Sequence, residues 1–337
     1  MKVLIIGGST FLGRTYVEEA VRRGFEVTTF NRGVSGTDLP EVEAVHGDRE
    51  VAADLERLVA GGRRWDMVVD TPGYVPRVVG AAARLLADRV STYVFISSIS
   101  ASGEWPARIA DESTALDCPP DAGPEDGDYG VLKAGCERAV MQALGDRGLV
   151  IRPGLILGPY ENVGRLPTWL NRMSRGGRLL APGRPDKPMQ LVDARDIVLF
   201  TYQLVEAGTS GEVFQVTAPA GNATYASWLG DCREVTGADA ELVWVEDRFL
   251  LDHDVQPWTE LPLWAPDGPE FAHVWAASTA KAEAAGLRCR PVRETVRDTW
   301  QWMRSEGLPE YRKYDHMGPH GIDPDKERAI LAAWDRR

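Results

Sequence analysis

Hydrophobic positions along the chain alternate between two rhythms. Short runs rich in apolar and β-branched residues, at Lys2–Ile6, Glu26–Phe30, Val42–Val45, Met67–Val69, Tyr93–Ile96 and Leu149–Ile151, are separated by stretches of helical period. Strands that alternate with helices in this way predict a doubly wound parallel sheet, a Rossmann-type α/β fold. The first helix is legible in detail. Leu12, Tyr16, Val17, Ala20 and Val21 share a face, Glu18 and Glu19 point outward, and Gly24 follows Arg22 and Arg23 as a stop. A second clear helix runs from Tyr129 to about Leu144 and halts at Gly145.

After Pro153 the rhythm loosens into longer Pro/Gly loops. It predicts a helix near Leu166–Ser174, a strand at Met189–Val192, a helix at Ala194–Glu206, a strand at Val213–Val216, a helix at Tyr225–Thr236 and a strand at Glu241–Val245. The expected organisation is a sheet domain over 1–153, a smaller α/β substrate lobe over 154–310 interleaved with the last sheet strands, and a helical or partly ordered tail over 311–337. Residues 102–128, with Pro119-Pro120, Gly123-Pro124 and many acids, read as a long surface excursion. Trp258, Trp264, Trp275, Trp300 and Trp302 are expected to pack the lobe, with an aromatic substrate wall as the functional alternative.

Composition narrows the function. The chain has 337 residues, 44% of them hydrophobic, enough to fill a large core and to exclude disorder as its main state. Thirty-eight basic against 50 acidic residues leave a net charge of −12, the wrong sign for broad contact with nucleic-acid phosphates. The longest apolar run falls far below the roughly 18 residues of a membrane span, and no charged-then-apolar leader opens the chain, which predicts a soluble, cytoplasmic protein. The 4 cysteines lack Cys-x-x-Cys spacing, so neither a metal site nor a disulfide framework is expected.

Gly7-Gly8-Ser9-Thr10-Phe11-Leu12-Gly13 lies between the first strand and the first helix, where backbone amides and the positive helix end can hold a pyrophosphate. Gly7 permits the sharp turn, Gly13 permits close helix–sheet packing, and the small Ser9 and Thr10 permit approach to the backbone. At the end of the second strand, Asn31-Arg32 presents a guanidinium where an acid would bind a free ribose 2′-hydroxyl. Arg32 can pair with a 2′-phosphate, which favours NADP over NAD. Asp48 is placed to accept from the adenine amino group, and Asp70, Thr71 and Pro72 are expected to line the crevice beside the riboses.

Tyr129 and Lys133 stand four apart on a helix, so the ammonium can lie near the phenol and near a bound ribose. A nearby cation favours phenolate and lets Tyr129 exchange a proton with a substrate oxygen. The fifth strand ends in Ser97-Ser98-Ile99-Ser100 at the carboxyl edge, where ligands bind. Ser98 can bond the same substrate oxygen and Ser97 and Ser100 flank it; strand-end capping is the plainer role for all three.

The glycine turn, Ser98, Tyr129 with Lys133, and Arg152-Pro153-Gly154, in this order, resemble the short-chain dehydrogenase/reductase superfamily in its extended, NAD-dependent epimerase/dehydratase branch. The C-terminal half carries the likeness further: Leu191–Ile197 resembles a late strand-to-helix signature, Gly211–Val216 the next strand, and Ala282–Trp302 the closing helices. The resemblance implies catalytic roles for Ser98, Tyr129 and Lys133, a nicotinamide contact at Pro153, and a substrate site near Tyr74, Ser100, Trp105, Leu155, Arg165 and Trp169. It also implies the homodimer, through paired helices, that is frequent in the branch. Thr10 departs from the branch's middle glycine, as in atypical members reading Gly-Gly-x-x-Phe-Leu/Ile-Gly. Met189 stands near the place where sugar-nucleotide enzymes offer an arginine to the substrate diphosphate, though Arg165, Arg172, Arg184 and Lys187 can supply a cation.

The leading expectation is an NADPH-dependent reductase acting on a carbonyl or alcohol of a small metabolite. A redox-neutral epimerase or dehydratase that keeps its nicotinamide bound is the alternative. From another class comes a non-catalytic NADP sensor or RNA-associated protein on the same fold; sensors often lose the tyrosine, whereas Tyr129, Lys133 and Ser98 are all present, and the net charge of −12 opposes RNA.

Overall fold

The structure is a computed structural model that describes residues 1–103, 105–311 and 320–337. Its first half runs β1 (Lys2–Ile6), α1 (Phe11–Arg22), β2 (Glu26–Asn31), β3 (Glu43–His46), α2 (Ala52–Leu58), β4 (Trp65–Asp70), α3 (Pro76–Leu86), β5 (Val90–Ile96), α4 (Tyr129–Leu144) and β6 (Gly148–Pro153). There follow β7 (Leu155–Leu157), α5 (Leu166–Ser174), β8 (Gly177–Pro182), β9 (Pro188–Met189), β10 (Leu191–Asp193), α6 (Ala194–Glu206) and β11 (Glu212–Val216). The chain closes with β12 (Ala223–Thr224), α7 (Tyr225–Thr236), β13 (Ala240–Val245), α8 (Asp247–Asp252), α9 (Ala280–Ala284), α10 (Val292–Glu306) and α11 (Pro324–Trp334).

Seven strands form one sheet in the order β11-β6-β5-β4-β1-β2-β3, with parallel pairing throughout. Alternate residues of β1 serve opposite faces. Val3 and Ile5 join a core with Tyr16, Val17, Ile197 and Phe200 of α1 and α6, while Leu4 and Ile6 join one with Leu55, Val79, Ala83 and Val140 of α2, α3 and α4. The strand order reverses between β1 and β4, which opens a crevice at their carboxyl ends, where ligands of such sheets bind.

The lobe has its own core, in which Leu170, Leu180, Trp228, Trp264 and Leu331 are all nearly inaccessible. The tryptophans expected to pack it do so: Trp264 donates to Asp247 at 2.8 Å, and Trp258 lies 6.0 Å from Trp275. Within the stretch expected as a tail, Pro324–Trp334 is helical and Glu327, Ile330 and Leu331 are buried against the lobe. Three strands lie outside the predicted ones: β7, which pairs with β10, β12, which pairs with β9, and β8, which starts at Gly177 and pairs in parallel with β13. The strand expected over Met189–Val192 is two. Buried Gln190 separates them, its amide bonding to Ala218, Ala277 and the Ala277 backbone N–H, so β9 pairs with β12 and β10 with β7.

Candidate active site

At the opening turn the backbone needs glycine for steric reasons. Gly7 and Gly8 have φ of 96° and 95°. A Cβ on Gly7 would sit 2.4 Å from Thr71 Oγ1, and one on Gly13 would sit 2.7 Å from the Gly8 nitrogen. Phe11, the first residue of α1, has φ of 38°, a left-handed conformation that the packing around it must hold. Thr10 is the N-cap, but its side chain does not cap α1, and the first turn carries no acid. The first amides of α1 therefore face the turn with no side chain of the helix competing for them. Ser9, Thr10, Leu12 and Gly13 all belong to this cradle, and Thr71, which donates its N–H and hydroxyl to the Ile6 carbonyl at 3.2 and 3.0 Å, and Pro72 form its floor.

At the β2 end, Arg32 is exposed. The Asn31 amide is not free for a ligand: it donates to Asp38 at 2.8 Å and accepts from the Gly33 N–H at 2.8 Å. Asp38 was not foreseen, because it lies outside any strand. It also accepts from Thr29 and bonds His46 at 2.9 Å, and although burial opposes ionisation, these hydrogen bonds hold its carboxyl below the usual range. Asp48 accepts from the Glu50 N–H at 2.9 Å while its own N–H is fixed by Asp54.

Asp70 departs from expectation. Rather than lining the crevice, its carboxylate is wholly buried and receives both Nη atoms of Arg49, at 2.6 and 2.7 Å, and the Tyr93 hydroxyl at 2.7 Å. Arg49 thereby clips the segment carrying Asp48 to the end of β4.

The β5 end and the start of α4 meet because Gly130 lets them: a Cβ there would lie 2.2 Å from the Ser100 carbonyl oxygen. Ser98 caps the short turn Ile99–Ala101, accepting the Ser100 N–H at 3.1 Å, so the capping role is real; its hydroxyl proton can still be donated. Asp128 caps α4 through the Val131 N–H at 3.0 Å. Tyr129 opens that helix and is 43% exposed, whereas Lys133 one turn on is only 2% exposed. The Lys133 ammonium donates to the Ile96 carbonyl at 2.8 Å and lies 5.9 Å from the centre of the Tyr129 ring.

Ser97 donates not toward the crevice but to buried Glu137, on the same helix as Tyr129 and Lys133. Glu137 pairs with Arg152 at 2.7 and 2.8 Å, and Arg152 in turn donates to Ser102 and to the Thr114 carbonyl. One buried ion pair thus ties together β5, α4, β6 next to Pro153, and the segment after Ser102. That segment is not a loose excursion: Cys118 and Ala122 are buried with Leu132 of α4, and Arg77 of α3 donates its N–H to the Ala122 carbonyl.

Most of the substrate-site candidates in the lobe lie buried in its core rather than on an open surface. Leu155 and Trp169 are 7% and 3% exposed, and Trp169 donates to the Pro262 carbonyl at 2.8 Å with its ring edge-on to Trp228. Trp105 packs between the lobe core and Ile99, Ala110 and Ala277. Arg165 heads α5 and reaches the Ile156 carbonyl at 3.4 Å. Ser100 and Tyr74 remain beside Tyr129; the Tyr74 ring is 6.1 Å from it. The other cations are engaged as well. Arg172 pairs with Glu327 at 2.7 Å, Arg184 with Asp186 and Asp267 at 3.2 and 3.4 Å, and Lys187 with Asp267 at 2.8 Å and the Ala265 carbonyl. Met189 is fully buried. In the Leu191–Ile197 signature, Asp193 and Asp196 pair with Arg195 and Arg290, and Arg195 with Asp298 of α10, a weld between lobe and sheet rather than part of the site.

Among the described residues no cluster of His, Cys, Asp and Glu could hold a metal ion, and no helix is long and apolar enough to cross a membrane.

The model of the NAD dependent epimerase/dehydratase family matches residues 3–217. No curated protein matches significantly. Among solved structures, the Bordetella bronchiseptica enzyme WbmG in complex with NAD superposes with a TM-score of 0.69 at 17% identity, covering 94% of this chain and 98% of that one. UDP-glucose 4-epimerase from Thermotoga maritima, solved with UDP-glucose, gives 0.64 at 18% identity over 90% and 99% of the two chains. A putative epimerase from Burkholderia cenocepacia gives 0.65 at 21% over 90% and 98%. At these identities the likeness is one of fold.

Proposed function

We propose, from the premise that this chain belongs to the NAD-dependent epimerase/dehydratase family, that it exchanges hydride between a nicotinamide dinucleotide and an oxygen-bearing carbon of a small substrate that carries no diphosphate. The observation that carries the chemistry is the pairing of an accessible phenol, Tyr129, with a buried ammonium, Lys133, on the helix whose start meets the turn that Ser98 caps. The cradle of Gly7, Gly8 and Gly13 with the first amides of α1 would hold the pyrophosphate, and Lys133 a ribose hydroxyl. When bound, the dinucleotide supplies or accepts the hydride. Tyr129 gives or takes the proton at the substrate oxygen, Ser98 donates a hydrogen bond to that oxygen, and the Lys133 ammonium stands one helical turn from the phenol.

Two finer choices follow from charge. Exposed Arg32 at the β2 end supports a 2′-phosphate and hence NADPH, with net reduction of a carbonyl. Arg172, Arg184 and Lys187 are each paired with a carboxylate, which argues against a sugar-nucleotide diphosphate in the lobe. The second reading, a redox-neutral epimerase holding NAD, has its support in the fold neighbours solved with NAD and in Asp38 beside β2. Calorimetric titration with NADPH and NADH, followed by absorbance at the reduced-nicotinamide band across carbonyl substrates, separates them. Net consumption of NADPH supports the reductase, whereas a product formed with no net change in cofactor supports the epimerase. Uptake of neither dinucleotide, with none released on denaturing the protein as isolated, defeats both.

A further inference from the structure

We propose that Tyr74 is a positioning residue that holds the Lys133 ammonium by its ring face, a role that rests on the functions given above to Tyr129 and Lys133. Lys133 is 2% exposed, and its described partners are a carbonyl and aromatic rings, not a carboxylate. An ammonium has three N–H bonds, and the Ile96 carbonyl, at 2.8 Å, takes one. Burying the remainder of that charge unsolvated would be costly. The Tyr74 ring centre at 4.8 Å and the Phe95 ring centre at 4.9 Å supply what is missing, since an aromatic face is the negative end of a quadrupole. Tyr129, which bears the reacting hydroxyl, is farther away at 5.9 Å.

The choice of partner has a consequence. A carboxylate at that distance would cancel the field that Lys133 exerts on the Tyr129 oxygen, whereas neutral rings fix the cation and leave its charge in force. Phe95 belongs to a central strand and is fully buried. Tyr74 instead sits on the partly buried segment after β4 and also touches the Tyr129 ring, 6.1 Å away at 41°. Its approach depends on Gly73, where a Cβ would lie 2.6 Å from Phe95 and 2.8 Å from Val79. Tyr74 therefore links the ammonium and the phenol from outside the helix that carries both.

The chain has only six lysines, so labelling them with 13C at Cε gives a short spectrum in which Lys133→Arg identifies the Lys133 signal. Ring currents should set that signal apart from those of the other lysines, Lys281 excepted, whose ammonium lies 4.6 Å from the Phe214 ring centre. Tyr74→Leu should move it toward them and weaken NADPH binding roughly tenfold, while Tyr74→Phe, which keeps the face and loses the hydroxyl, should preserve both. Unmoved signals from the remaining lysines certify that the variant is folded, and Tyr74→Met serves as a second variant without a ring. A Lys133 signal and affinity unchanged without the ring would overturn the proposal. So would a Tyr74→Phe variant as impaired as Tyr74→Leu, because the phenol oxygen would then be the acting group. Failure of the wild type to bind NADPH or NADH would instead refute the dinucleotide reading, and the ring-current shift would still decide the cage.

Discussion

Apart from the buried Arg49–Asp70 and Arg152–Glu137 pairs, the carboxyl edge of the sheet leaves cations open where the lobe pairs its own. At the edge, the amides of the glycine turn, Arg32 and the Lys133 ammonium have no carboxylate partner among their described contacts. In the lobe, Arg172, Arg184, Lys187, Arg195 and Arg290 each face a carboxylate. An unneutralised positive region asks for an anion from outside, while a paired one is spent on holding the fold. The difference teaches where the phosphates of a ligand can be expected: at the opening turn, not in the lobe.

The largest test of this contrast is Tyr129→Phe, which removes the proton carrier and leaves the cradle intact. Turnover of any substrate the wild type accepts should fall about a thousandfold, with the dissociation constant for NADPH nearly unchanged. Equal losses in both would mean that the phenol serves binding and not proton transfer.

Next comes a buried carboxylate in the lobe. Glu161 accepts the N–H groups of Arg165 and Leu166 at the head of α5, at 2.6 and 3.1 Å. Burial pushes its carboxyl up to about 7, against the pull of Arg165 and those amides. A folded-state value above the unfolded one means that the native chain binds the extra proton, so this group destabilises the fold progressively as pH rises from about 4.5 to about 7. Relative to Glu161→Gln, the wild type should lose about 3 kcal/mol over that window. Urea titrations of both proteins at pH 5 and pH 8 check this, and a difference independent of pH rules it out.

A smaller effect is expected from Arg172→Met, which leaves Glu327 buried without its cation. We expect a stability loss of about 2 kcal/mol, discounted for the partial exposure of Arg172, with NADPH affinity preserved. Weakened cofactor binding would break the division between the two regions. The smallest is Arg32→Ala, which should weaken NADPH roughly tenfold and leave NADH unaffected. Equal loss for both would remove the case for a 2′-phosphate.

Local pattern carried α1, α4, α6 and α7 almost to the residue, because their apolar stripes and stop signals lie within a few turns of chain. It missed the short β7 and β12, and β8, whose Gly176-Gly177 start has the look of a loop until β13 lies beside it, and it merged β9 with β10 because Gln190 finds its partners at Ala218 and Ala277. The site divides along the same line. Gly7 and Gly13 after β1, and Ser98 after β5 with Tyr129 and Lys133 on α4, could be singled out as candidates because each group is defined by local spacing at a strand end or on one helix face. Asp70 was misplaced because Tyr93, on the neighbouring strand β5, and Arg49, on the segment after the edge strand β3, consume its carboxylate, and Leu155 and Trp169 because nothing in their neighbourhood reveals that the lobe closes over them.

From the amino-acid order alone came the alternation of strands and helices, the glycine turn that opens the first helix, and the phenol and amine one helical turn apart. These are short-range matters of backbone freedom and periodicity. Which charges remain open to a ligand was decided only by folding, since a side chain's availability depends on whether a partner remote in sequence arrives beside it. Lys133 ringed by Tyr74 and Phe95, and Arg172 paired with Glu327, are the same kind of cation brought to opposite ends by that long-range placement.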